Sequence, residues 1–112
     1  MSGTRQDIKQ TFDQLQEFSG QKNKYVALNE GADALIDKLN EFLESATEAI
    51  DKEQAQEAIS VLSNVKDADI AMVKTLQDEA RGKGATKSKD RDYDRQVSTA
   101  IDSIRSAVSY FL

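Results

Sequence analysis

Apolar residues recur along this chain at spacings of three and four, and polar residues fill the gaps. Ile8, Phe12, Leu15 and Phe18 lie on one helical face. Thr4-Arg-Gln-Asp7 has the spacing of a capping box with Asp in place of Glu, and Ser19-Gly20 is a suitable stop. The pattern predicts a first helix over about 4–18.

A second helix is predicted over about 21–50. Tyr25, Leu28, Ala32, Leu35, Leu39, Phe42, Ala46 and Ala49 alternate three and four apart, and Ile36, Leu43 and Ile50 form a parallel row one position on. So wide a stripe suits a helix with two or more neighbours. Gly31 lies inside it and weakens the helix by about 1 kcal/mol relative to Ala; a start near Asn29 is the alternative.

The phase breaks at Asp51-Lys-Glu-Gln54, where a tight turn is expected, with Asp51 as cap. Without Gly or Pro to enforce that turn, one helix of about 60 residues is the alternative. Ala55, Ala58, Leu62, Val65, Asp69, Met72 and Leu76 then form the seam of a third helix over 53–81. Gly82-Lys-Gly-Ala-Thr-Lys-Ser88 reads as a flexible basic loop. The last helix, over 89–112, has Tyr93, Val97, Ala100, Ile104, Ala107 and Phe111 along its seam.

The whole chain, 1–112, therefore reads as one all-α domain. It is a bundle of about four amphipathic helices built on a long antiparallel hairpin. Helix 1 is too short to cover the length of the others, so self-association through uncovered seam is expected to compete with closure inside one chain.

Composition narrows the chemistry. The sequence has no His, Cys, Pro or Trp. That excludes disulfides, Cys/His zinc sites, cysteine nucleophiles and triads with an imidazole base. No cofactor or metal is expected. No segment approaches the 18 or so apolar residues of a membrane span. The first residues show no apolar signal core, so a cytoplasmic location is expected, with leaderless export as the other route. Net charge is −5 and unevenly placed: Glu30–Glu79 holds thirteen acids against four lysines, whereas Arg81–Arg95 holds six bases against three acids. An acidic body with a basic connector is a poor direct binder of nucleic acid.

Candidate site residues are few. Glu41, Glu44 and Glu48 share one helical face; with no His they lack a di-iron ligand set. Asp90-Arg-Asp-Tyr-Asp94 opens like a calcium loop, but Arg95 and Ile101 stand where Gly and Glu are needed. Asp69 is the sharpest oddity, a carboxylate in mid-seam. It can specify register or a partner, mark a bend that opens to water, or serve a function of its own. Ile59 and Ile70 lie on one flank of helix 3, and Tyr110 and Leu112 end the chain in an apolar tail. Each set is either core for a neighbouring helix or a surface for a partner.

The size, the missing cysteines and the helical hairpin resemble the small leaderless secreted Trp-x-Gly hairpin proteins and needle subunits. The likeness is one of architecture. Phe18-Ser-Gly20 is the nearest tripeptide to the Trp-x-Gly turn and lies in the wrong place. The leading expectation is a non-enzymatic protein-interaction or assembly module that works through helix seams, by self-association or by binding a larger protein. An acidic inhibitor that mimics phosphates before a nucleic-acid-processing enzyme, and a leaderless secreted hairpin protein, are the alternatives.

Overall fold

The computed structural model describes residues 5–16, 24–81 and 87–112. They form an all-α bundle, 54 × 22 × 16 Å. The elements are α1 (Arg5–Gln16), α2 (Lys24–Ser45), α3 (Ala49–Val65), a π turn (Lys66–Ile70), α4 (Ala71–Arg81), α5 (Lys87–Ala107) and a terminal 3-10 turn (Ser109–Phe111). The segment α3–π–α4 is one long helix with a defect in its middle. The expected Thr4 cap, the Ser19-Gly20 stop and residues 82–86 of the basic loop lie outside the described residues.

Successive helices run antiparallel. Asp33 of α2 pairs with Lys66, and Lys74 of α4 sits over the ring of Tyr25 at 5.7 Å. On the other side, Ser103 of α5 reaches Asp69 and Tyr93 reaches Gln77. The long helix is thus flanked by α2 and α5 along its length. At one end of α1, Arg5 contacts Tyr110; near the other, Leu15 packs at Gly31. Helix α1 therefore covers one half of the rod, from the α2–α3 turn to Gly31.

The predicted seams form the core. Ile8, Phe12 and Leu15 of α1, Leu28, Ala32, Leu35, Leu39 and Phe42 of α2, Ala55, Ala58, Leu62 and Val65 of α3, and Val97, Ala100, Ile104 and Phe111 from the C-terminal region are all buried together. At about 1.5–3 kcal/mol per large side chain buried, these contacts are the main force holding the helices to one another.

Gly31 has a packing reason. A Cβ there would lie 2.4 Å from Leu15 Cδ1 and 3.0 Å from Leu15 Cγ. The glycine gives up helix propensity so that α1 can approach α2 closely.

Two differences from the sequence reading shape the middle of the chain, and a smaller third lies at its end. The last helix, expected over 89–112, runs Lys87–Ala107 and is followed by a 3-10 turn, so that Val108 is buried where the seam predicts Ala107. The hairpin turn is Ala46-Thr47-Glu48, not Asp51–Gln54, and α2 and α3 are separate helices. Ala46 and Ala49 continue the heptad spacing but bury little apolar surface, so they hold no helix in place. Ser45 Oγ turns back to the Phe42 carbonyl at 3.2 Å. Glu48 takes the N-cap position without a side-chain cap bond, and Asp51 falls in the first turn of α3, where the helix dipole favours an acid.

The second difference lies beyond Val65. The expected seam continues through Asp69, Met72 and Leu76. Instead the π turn inserts one extra residue, and the Ala71 amide donates back five positions to the Lys66 carbonyl. The core row becomes Val65, Ile70, Val73 and Gln77. Asp69 and Leu76 move to half-buried flanks, and Met72 is 47% exposed.

Candidate functional site

The π turn is the first place where chemistry gathers. Ser103 Oγ donates to Asp69 Oδ2 at 2.7 Å, and Gln96 Nε2 donates to the Asp69 carbonyl at 3.0 Å. Gln96 and Ser103 lie two turns apart on α5, so they tie both the side chain and the main chain of Asp69 to that helix. The seam carboxylate of the sequence reading is thus moved off the core axis and given partners, as the cost of burying a lone charge demands. No buried side-chain nitrogen or oxygen among the described residues lacks a partner.

Ile70 is fully buried and Ile59 is half-buried against the core. Ile70 is therefore core and offers no surface to a partner. The π turn is the reason: it rotates Ile70 from the flank into the seam.

The three glutamates do not converge. Glu41 is half-buried and accepts from Lys38 at 3.4 Å, one turn away. Glu44 and Glu48 are exposed near the hairpin turn. Among the described residues no group of three or more acidic side chains is placed to hold a metal ion. A cleft of about 290 Å³ is lined by Leu15, Leu28, Val97 and Ile101 with Lys24 and Asp94, and brings no pair of carboxylates together.

The second gathering is at the α2–α3 end. The chain's last residues leave α5 at Val108 and turn back as a 3-10 helix, with the Phe111 amide bonded to the Val108 carbonyl at 2.9 Å. Phe111 is buried edge-on to Phe42, ring centroids 5.1 Å apart. That contact fixes the outer residues. Tyr110 keeps 36% exposure, its hydroxyl donating to Asp51 Oδ1 at 2.6 Å and its ring lying 4.4 Å under the Arg5 guanidinium. The hydrogen bond to Asp51, and secondarily desolvation and the Asp51 charge, raise the Tyr110 pKa above its ordinary 10.0, with Arg5 opposing.

Ile50 next to Asp51 is 51% exposed and Leu112 is 46% exposed. The two elements meet through the Tyr110–Asp51 bond, so Ile50, Tyr110 and Leu112 share one end of the rod. At the same end a shallow hollow of about 480 Å³ is lined by Arg5, Gln6, Phe42, Ser45, Ala46, Thr47 and Asp51. Around this end the segment 41–57 carries Glu41, Glu44, Glu48, Asp51, Glu53 and Glu57 against Lys52 alone.

Tyr110 and Leu112 thus share one end of the rod with Ile50, which the sequence pattern places in a second core row. The signal that could have separated Ile50 from Ile36 and Leu43 is the polar Ser45–Glu48 run between them. No helix among the described residues is long and apolar enough to cross a membrane. No family model matches the chain, and no curated protein or solved structure matches it either.

Proposed function

We propose that this chain is a non-enzymatic protein-interaction module whose docking surface is the α2–α3 end. The observation that carries the reading is that Ile50, Tyr110 and Leu112, all exposed, lie at the same end of the rod, where Phe42, Arg5 and Asp51 line a shallow hollow and the segment 41–57 is rich in acids. Exposed apolar residues with a charged rim mark association sites. The rim sets the partner's chemistry: a segment that pairs apolar side chains with Lys or Arg, such as a basic amphipathic helix.

The closed seams favour a foreign partner over a second copy. Leu35, Leu39, Leu62 and Ile104, which a heptad assembly would share between chains, are fully buried within one chain. The apolar end supplies affinity, and the acids supply approach rate and selectivity.

The test is quantitative capture from lysate by immobilised wild-type protein, Ile50→Ser/Leu112→Ser, and Met72→Ser as an exposed control away from this end. The reading expects a retained protein that is lost with the double variant, kept with the control, and weakened by salt. Retention that ignores the double variant, or no retention at all, contradicts it. Loss on charge reversal at Glu44 and Glu48 alone, with a nucleic-acid-processing enzyme as the retained protein, would favour the phosphate-mimic alternative.

A further inference from the structure

Beyond Val65 the long helix carries two competing core rows. At ordinary α spacing the row is Asp69, Met72, Leu76; one residue on, it is Ile70, Val73, Gln77. The structure uses the second, and the π turn is what admits it. The two rows are similar in apolar content. Each has two large aliphatic residues and one polar one: Asp69 in the first, and in the second Gln77, whose Oε1 accepts from the Tyr93 hydroxyl at 3.3 Å. They differ in the nature of that polar residue. A neutral amide with a hydroxyl partner can be buried, whereas an ionised carboxylate at the helix interface is far more costly.

We propose that the half of the bundle beyond Val65 is a two-register element, and that Asp69 is the residue that selects the π register. In the observed packing Asp69 sits off the core axis and is held to α5 by Ser103 and Gln96. Remove the carboxylate and supply an apolar side chain, and the uninterrupted row 62, 65, 69, 72, 76 becomes the better core. The π turn then closes to α spacing, and α4 rotates about its axis by one residue, about 100°. Met72 and Leu76 turn inward. Ile70 and Val73 turn toward solvent. The surface of α4 would change without any other change in the fold. π turns are rare and are found frequently at functional positions in helices.

The chain has no Cys, so single thiols report the register directly. Met72→Cys and Val73→Cys are made separately in the wild-type, Asp69→Asn and Asp69→Leu backgrounds, and thiol labelling rates are measured in the folded proteins. In the wild-type background the position-72 thiol is expected to react at least about tenfold faster than the position-73 thiol, since 73 is fully buried and labels only through local opening. Asp69→Asn, which keeps a polar group, retains that order. Asp69→Leu reverses it. An unchanged order in Asp69→Leu overturns the proposal, because Asp69 would then not select the register. Fast labelling at both positions with loss of helical circular dichroism overturns it as well, because then no second packing exists.

Discussion

The register of α4 makes a sharp prediction about two residues only two positions apart. Ile70 is fully buried and Met72 is 47% exposed. Ile70→Ala removes three carbons from the core. At about 0.8 kcal/mol for each buried methylene the transfer loss is about 2.4 kcal/mol, and the cavity left behind raises the total to about 3–4 kcal/mol. Met72→Ala removes a side chain that is half in water and puts the best helix former on an exposed helical site, so its effect is within about 0.5 kcal/mol. The assay is urea unfolding followed by far-ultraviolet circular dichroism, with thermal melts alongside. For a chain of this size Ile70→Ala should lower Tm by roughly 10–15 °C, and Met72→Ala by no more than about 2 °C. An uninterrupted α-helix through this region predicts the opposite order, with Met72 in the core. If Met72→Ala costs as much as Ile70→Ala or more, the π turn and the core row drawn from it are wrong.

Three further outcomes follow from the packing. Deleting Ala68 leaves Val65 and Ile70 four residues apart, so the chain should keep its core with an unbroken α3–α4 helix and unfold cooperatively; loss of the cooperative transition would refute that spacing argument. Gly31→Ala should destabilise by about 1 kcal/mol, because the displacement of Leu15 outweighs the gain in helix propensity, whereas in a Leu15→Ala background the same change should stabilise; a cycle without that change of sign would refute the close approach of α1 and α2. The Tyr110 phenol is raised in the folded state, so its contribution to stability is present below pH 10 and is lost as pH rises through the folded value; an ultraviolet titration read as the difference from Tyr110→Phe should show Tyr110 ionising above the ordinary value, and Asp51→Asn should bring it back toward that value.

Much of the fold was legible because apolar spacing on an amphipathic helix reports directly which residues meet the core. The rows 8–15, 28–42, 55–65 and 97–111 are buried as the spacing requires. The hairpin turn was displaced because Ala46 and Ala49 satisfy the heptad count without supplying burial; count and energy diverge where the seam residue is small. The π turn was hidden because a period of 3.6 residues is assumed when a seam is extended. Its trace was present all the same: Asp69 is the residue at which the assumed period became costly, and Ile70 and Val73 supplied the next row. Of the candidate surface, Tyr110 and Leu112 were visible as a tail, but Ile50 joins them only through the fold of the chain end, by way of the Tyr110–Asp51 bond and Phe111 against Phe42. No local pattern encodes a meeting of residues nearly sixty positions apart.

A chain that closes its own seams, leaving only the α2–α3 end for the partner proposed above, stays a monomer on its own. Size-exclusion chromatography with light scattering over a roughly hundredfold concentration range tests it most directly, since an assembly would shift with concentration by mass action. A single species of 12.4 kDa is expected throughout. A dimer or larger species that persists on dilution would mean that the seams are shared between chains, and would contradict it.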